Sequence, residues 1–224
     1  CIYYEGKYVQ QDIKKAIHYF TLSANFNNSD AQCLLGCVYY EGKYVQQDIN
    51  KSIHYFTLSA NLNNSDAQFY LGEIYYEGKY IQQDINKSIH YLLLSANLNN
   101  SNAQSLLGYI YYEGKYVQQD INKSIHYFTL SANHNNSDAQ FYLGCIYYEG
   151  KCIKRDINKS IHYLSLSANL NNSDAQYFLG NIYIHGNHHF YSFDKGIYYL
   201  KLAAGQNHEL AQLYLGILYF SLNN

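Results

Sequence analysis

Residues 67–102 read AQFYLGEIYYEGKYIQQDINKSIHYLLLSANLNNSN. Apolar or small residues at Ala67, Tyr70, Leu71, Ile74 and Tyr75 recur at helical spacing. The four residues Ser65 to Gln68 read S-D-A-Q, the form of a capping box. In that motif the serine hydroxyl takes the N3 amide and the glutamine reaches back. Glu77-Gly78 closes the helix, because glycine takes the left-handed conformation freely. A short loop, 79–83, leads to Asp84, a good N-cap. A second helix carries Ile85, Ser88, Ile89, Tyr91, Leu92, Ser95 and Ala96. It stops in Asn97-Leu98-Asn99-Asn100, where asparagine can replace glycine at the left-handed position. Each helix is expected to run for about 13 residues, roughly 20 Å. Gly72 inside the first helix costs about 1 kcal/mol against alanine, so a neighbouring helix is expected to come close there. Ser88, Ser95 and Ala96 form a second narrow seam.

This unit recurs. YYEGKYVQQDI stands at 3–13, 39–49 and 111–121, and YYEGKYIQQDI at 75–85. INKSIHY stands at 49–55, 85–91, 121–127 and 157–163, always 36 residues apart. Full repeats are read at 31–66, 67–102, 103–138, 139–174 and 175–210. A truncated repeat, 1–30, precedes them, and 211–224 is read as a C-terminal capping helix. A lone helix pair cannot cover its apolar stripe. Stacked pairs can, which gives a solenoid with nearest-neighbour cooperativity.

The 224 residues are 48% hydrophobic and 14% charged, with a net charge of −2, so neither disorder nor a strongly basic nucleic-acid surface is expected. No apolar run reaches the roughly 20 residues of a membrane helix. Five cysteines at irregular spacing suit free thiols in a reducing compartment better than a disulfide framework. Methionine is absent, so Cys1 is expected to be internal to something longer, while Asn224 is read as a natural terminus.

The pattern A-x-x-x-L-G-x-x-Y-x-x-G, then D-x-x-K-(small)-x-x-(aromatic)-x-x-x-(small)-A, resembles the Sel-one-like repeat (SLR), a relative of the tetratricopeptide repeats. Its residues here are Ala67, Leu71, Gly72, Tyr75, Gly78, Asp84, Lys87, Ser88, Tyr91, Ser95 and Ala96. The resemblance covers the whole chain. Serine replaces the usual alanine at 88 and 95, tyrosine the usual tryptophan at 91, and Asn99 the terminal glycine. The implied fold is an all-α, right-handed α-α superhelix whose first helices line a concave face. The implied role is a non-catalytic scaffold or adaptor for protein partners.

Most columns of the repeat are copied almost letter for letter, but two on the first helix are not. One holds Cys33, Phe69, Ser105, Phe141, Tyr177 and Leu213; the other holds Cys37, Glu73, Tyr109, Cys145, Asn181 and Ile217. Four residues apart, they share a helix face. By the family pattern they line the concave groove beside Tyr40, Tyr76, Tyr112 and Tyr148. Tyrosine suits a groove that takes a peptide or partner helix, since it supplies contact area at low entropic cost. Drift at positions free of packing constraint is the competing reading.

Other patterns carry less chemistry. The ladder His18, His54, His90, His126 and His162 sits on stacked helices roughly 8–10 Å apart, too far to share one ion. The cluster His185, His188 and His189 reads as a degenerate surface loop, and Cys33 with Cys37 as at most half of a soft metal site. Sequons such as Asn63 and Asn86 recur by copying and would matter only in a lumenal quality-control adaptor. No asymmetric catalytic constellation is present. The expectation is therefore a cytoplasmic interaction module: not an enzyme, with no metal, cofactor, small-molecule ligand, nucleic acid or membrane insertion. A spacer arm of a larger signalling protein, the lumenal adaptor, and a hydrolase like the cysteine-rich SLR proteins are the alternatives.

Overall fold

The computed structural model describes residues 12–186 and 190–222. These residues form twelve helices and no strand. In order they are α1 (Ile13–Asn25), α2 (Ser29–Glu41), α3 (Ile49–Asn61), α4 (Ser65–Glu77), α5 (Ile85–Asn97), α6 (Ser101–Glu113), α7 (Ile121–Ala132), α8 (Ser137–Glu149), α9 (Ile157–Asn169), α10 (Ser173–His185), α11 (Phe193–Gly205) and α12 (Glu209–Leu222). Cys1, the His188-His189 pair and Asn224 lie outside the described residues.

The helix ends follow local chemistry. Asp48, Asp84, Asp120 and Asp156 each accept the backbone N–H three residues on, at 2.9–3.0 Å. The first helices close on glycines in the left-handed region, with φ 64° at Gly42 and 62° at Gly78. The second helices close on asparagines there, with φ 59° at Asn63 and 62° at Asn99. At the other end the expected capping box is corrected. The N-cap of α4 is Asn64, whose side chain accepts from Ala67 N at 3.0 Å, and Ser65 is already helical. Gln68 does not reach back to the cap. It is buried and donates from Nε2 to the carbonyl of Ala60 at 3.2 Å. The C-terminal carbonyls of α3 lack partners within their own helix, and a buried amide is worth more there than on an exposed cap. Asn64→Ala should therefore cost about 1 kcal/mol in a denaturant titration, whereas Ser65→Ala should change stability by less than about 0.5 kcal/mol. Equal costs would restore the capping-box reading.

The chain forms two compact units, Cys1–Leu107 and Gly108–Asn224, with the division inside α6. In the first unit consecutive helices pack on one another, and α2 also touches α4 in the neighbouring repeat. One core joins Phe56 and Ala60 to Ala67, Leu71 and Ile74; a second joins Ala16, Phe20 and Ala24 to Ala31 and Leu35. The helical glycines are where partners enter. A Cβ on Gly36 would lie 2.5 Å from the Phe56 ring, and one on Gly72 would lie 2.6 Å from Leu92 Cγ. The small-residue seam is polar and bonded at some positions only, since the buried Ser88 hydroxyl has no hydrogen-bond partner among the described residues. Ser52 Oγ donates to the carbonyl of Gly36 at 2.9 Å, and Ser95 Oγ to that of Ser65 at 2.7 Å. Asn64 Nδ2 ties adjacent repeats through Asp30 Oδ1 at 2.9 Å.

The second unit repeats this grammar around Phe128, Ala132, Ala139, Leu143 and Ile146, then around Leu164, Ala168, Ala175, Leu179 and Ile182. Where the family pattern has tryptophan, a tyrosine stacks on the partner helix, as Tyr163 does on Tyr147 at 5.9 Å. The His column behaves as a solvated row: His18, His54, His90, His126 and His162 are all exposed.

Candidate functional site

The two variable columns lie on the first helices, and stacking brings each against the next repeat. In the first unit Cys33 is only 7% exposed and belongs to the core beside Phe56 and Leu71. Cys37 packs against the same core, hydrogen-bonded to Cys33 and to Tyr70. The Cys33–Cys37 hydrogen bond and burial push the Cys33 thiol up, while the same bond holds Cys37 down. Burial also raises the Tyr70 phenol. Glu73 is partly buried, and desolvation, helped by Glu77, holds its carboxyl above the usual range. Phe69 and Tyr76 are partly buried. Tyr40 is pushed up to about 12 by burial and by Glu77, with which its hydroxyl shares a hydrogen bond.

Ser105, late in the first unit, is also partly buried. In the second unit Tyr109 and Tyr112 both meet Tyr142, at 5.5 and 5.8 Å, and Tyr142 stacks on Phe128 at 5.1 Å. Tyr112, like Tyr40, is pushed up to about 12 by burial and then by Glu149, its hydrogen-bond partner. Phe141 and Tyr148 both approach Phe178 edge-on, and Arg155 lies 4.8 Å over the Tyr148 ring. Tyr177 stacks on His208 at 4.7 Å, and Asn181 donates to the carbonyl of Tyr177 at 3.1 Å. Cys145 is 9% exposed, and burial lifts its thiol to about 12.

The columns are therefore shaped in part by packing. Part of their variability is exchange of bulk between stacked helices: a small Cys37 faces Tyr70, and a large Tyr109 faces Tyr142. The thiols of Cys33 and Cys145 are buried by this packing and are not presented to solvent. Tyr40, Tyr76, Tyr112 and Tyr148 keep an open edge. In α12 the same columns end in Leu213 and Ile217, 62% and 55% exposed.

The segment 151–156 reads KCIKRD where the four earlier copies, at 7–12, 43–48, 79–84 and 115–120, have KYVQQD or KYIQQD. In the second unit a cavity of about 240 Å³ opens at this break, lined by Tyr112, Gln119, Ile146, Glu149, Lys151 and Cys152 among others. A second, of about 210 Å³, lies one repeat on, between Tyr148, Arg155, Asn181 and His185. The broken copy was visible in the sequence; that it opens a cavity was not. The four described cysteines are free, and among them only Cys152 is exposed. Among the described residues no group of three or more His, Cys, Asp or Glu is placed to hold a metal ion. None of the described helices is long and apolar enough to cross a membrane.

This geometry has close counterparts. The Sel1 repeat protein from Oxalobacter formigenes is 29% identical, with a TM-score of 0.85, over 92% of this chain and 84% of its own. The antigen c5321, described as protective and present in uropathogenic Escherichia coli strains, displays an SLR fold. It is 27% identical, with a TM-score of 0.53, over 99% of this chain and 55% of its own. A putative Sel1 repeat protein from Klebsiella pneumoniae shares the fold at 17% identity and a TM-score of 0.59, over 91% and 99% of the two chains. No curated protein matches the sequence. The model of the Sel1 repeat matches residues 1–25, 29–64, 65–100, 101–136, 137–172 and 173–208. With capped helix pairs, glycine contacts and repeat-to-repeat packing in this register, the chain belongs to the Sel1 repeat family, with its all-α repeat superhelix fold.

Proposed function

We propose that the chain is a non-catalytic interaction module that holds a segment of a protein partner against the first-helix face, within the cytoplasm. The observation that carries this reading is the tyrosine at the end of successive first helices. Tyr40, Tyr76, Tyr112 and Tyr148 are partly buried and held on capped, closely packed helices, with an edge to solvent. Tyr40 and Tyr112 are fixed further by hydroxyl bonds to Glu77 and Glu149. A rigid aromatic edge loses little entropy on binding. Glu73 in the first unit, and Tyr109 and Asn181 in the second, vary the chemistry beside these edges from repeat to repeat. Family membership supports a protein partner, since repeats of this kind typically mediate protein–protein interaction.

The test takes a partner found by proximity labelling and titrates it against the purified chain. Each paired variant, Glu73→Ala with Tyr76→Ala in one unit and Tyr112→Ala with Tyr148→Ala in the other, is measured separately. At least one pair should weaken binding about tenfold or more, the effect of losing a buried aromatic anchor, with far-UV circular dichroism unchanged. Binding indifferent to both pairs rejects the first-helix face as the site.

A further inference from the structure

We infer that the cavity between Tyr112 and Cys152 is a slot for the phenol ring of a tyrosine on a bound partner segment. The inference deepens the proposed function by naming what one position of the partner presents.

The template for the slot is inside the chain itself. In the first unit the position equivalent to Cys152 is Tyr80. Its ring meets that of Tyr40 edge-on, with centroids 6.2 Å apart at 87°. Its hydroxyl hydrogen-bonds to Gln47, whose Nε2 also donates to the carbonyl of Tyr40 at 2.7 Å. Lys79 lies over the Tyr80 ring at 5.0 Å. A phenol is thus clasped by an aromatic edge, an amide and an ammonium.

The second unit keeps this clasp and lacks the ring. Tyr112 stands where Tyr40 does and makes the same hydroxyl bond to a glutamate, here Glu149. Gln119 stands where Gln47 does, and its Nε2 donates to the carbonyl of Tyr112 at 2.7 Å. Lys151 stands where Lys79 does. Having no ring of its own to cover, it pairs with Glu149 at 3.1 Å. The ring that half-covers this place in the copied repeat, Tyr80 at 42% exposed, has become Cys152, which is short and exposed. About 240 Å³ opens in its place, against an apolar floor of Ile121, Ile146 and Ile153. A cavity of roughly 150 Å³ already admits a benzene ring. Arg155, the other departure in this segment, does not fill the slot, because its guanidinium lies over Tyr148.

The chemistry of recognition follows from the copy. An incoming ring regains the edge-on contact with Tyr112 and a cation–π contact with Lys151, and its hydroxyl regains the bond to Gln119. Leucine could use only the apolar floor. Phenylalanine would leave the Gln119 bond unmade, so tyrosine is the preferred occupant.

The probe is N-acetyl-L-tyrosinamide, titrated into the intact chain while backbone amide resonances are followed by NMR. Saturable shifts are expected at Gln119, Cys152 and Ile153, with a Kd on the order of 1 mM, as suits so small a ligand. The phenylalanine and leucine analogues should bind more weakly, in that order. Cys152→Tyr should restore the chain's own ring and abolish the shifts. Cys152→Ala should retain them, because the space and not the thiol is read. Gln119→Ala should erase the preference for tyrosine over phenylalanine. In a displayed peptide library, sequences kept by the unaltered chain and lost by Cys152→Tyr should carry a tyrosine.

Undiminished binding to Cys152→Tyr, loss of binding in Cys152→Ala, or no preference for the tyrosine probe would each overturn the slot. So would a selected peptide set without tyrosine. Circular dichroism checks that Cys152→Tyr folds; if it does not, the Gln119→Ala preference and the analogue series still decide. The two readings also fail separately. A slot that binds the probe while neither first-helix pair affects partner capture sinks the broader function alone. The reverse result sinks the slot alone.

Discussion

Phe56→Ala is expected to destabilise the first unit by about 3–5 kcal/mol, the range for deleting a fully buried aromatic side chain. Phe56 has no exposed surface, stacks on Tyr70 at 4.9 Å, and packs with Ala60, Ala67, Leu71 and Ile74. Its ring also covers Gly36. The cavity left behind would therefore be walled on one side by a residue with no side chain to relax into it. Two packed repeats meet at this ring, so its removal should uncouple them and not merely loosen one helix. Denaturant titration by circular dichroism, with limited proteolysis to locate the opening, provides the measurement. A loss below about 1 kcal/mol would mean that the core collapses to fill the space and that the stacking is softer than its geometry.

Gly36→Ala and Gly216→Ala should have opposite signs, although both glycines occupy one column of the repeat. Alanine gains about 1 kcal/mol over glycine inside a helix. At Gly216 nothing lies within 4 Å of a built Cβ, so that gain should be realised in full. At Gly36 the same Cβ would sit 2.5–2.9 Å from three atoms of the Phe56 ring. Overpacking of this kind costs about 1–3 kcal/mol, occasionally more, which at least cancels the propensity gain and is expected to outweigh it. The pair is coupled. In the Phe56→Ala background, Gly36→Ala should become stabilising, because the added methyl then enters the space the ring has left. A double-mutant cycle measures this directly. If Gly36→Ala stabilises the unaltered chain as Gly216→Ala does, helix propensity and not close approach governs the column.

Much of the architecture could be read from one 36-residue unit. Apolar periodicity placed both helices, Asp84 capped the second, and Gly78 and Asn99 adopt the left-handed conformation that their ends require. These are local features, set by a residue and its near neighbours along the chain. Gly72 was legible as a contact point for the same reason, since a glycine inside a helix asks for a packing explanation. The capping box failed because the motif describes an isolated helix end. In the packed protein Gln68 donates to the carbonyl of Ala60 on a neighbouring helix, which also accepts from Asn63 N, and Asn64 takes over the cap.

The candidate surface was legible only by half. The variable columns share a first-helix face, as the four-residue spacing required, and the recurring tyrosines lie beside them. Spacing along one helix cannot say what stands 36 residues away. Stacking sets Tyr70 against Cys37 and Tyr142 against Tyr109, so part of the variation serves repeat packing and two of the thiols are buried. The slot at Cys152 was least visible, since a broken copy has no meaning until its neighbours are known.

By itself, then, the sequence determined the helix pair, its ends and its period, because these follow from interactions within a few residues. Only the tertiary structure decided which side chains became wall, filler or open edge. Burial and cavities belong to the distance between helices, and local spacing does not contain that distance.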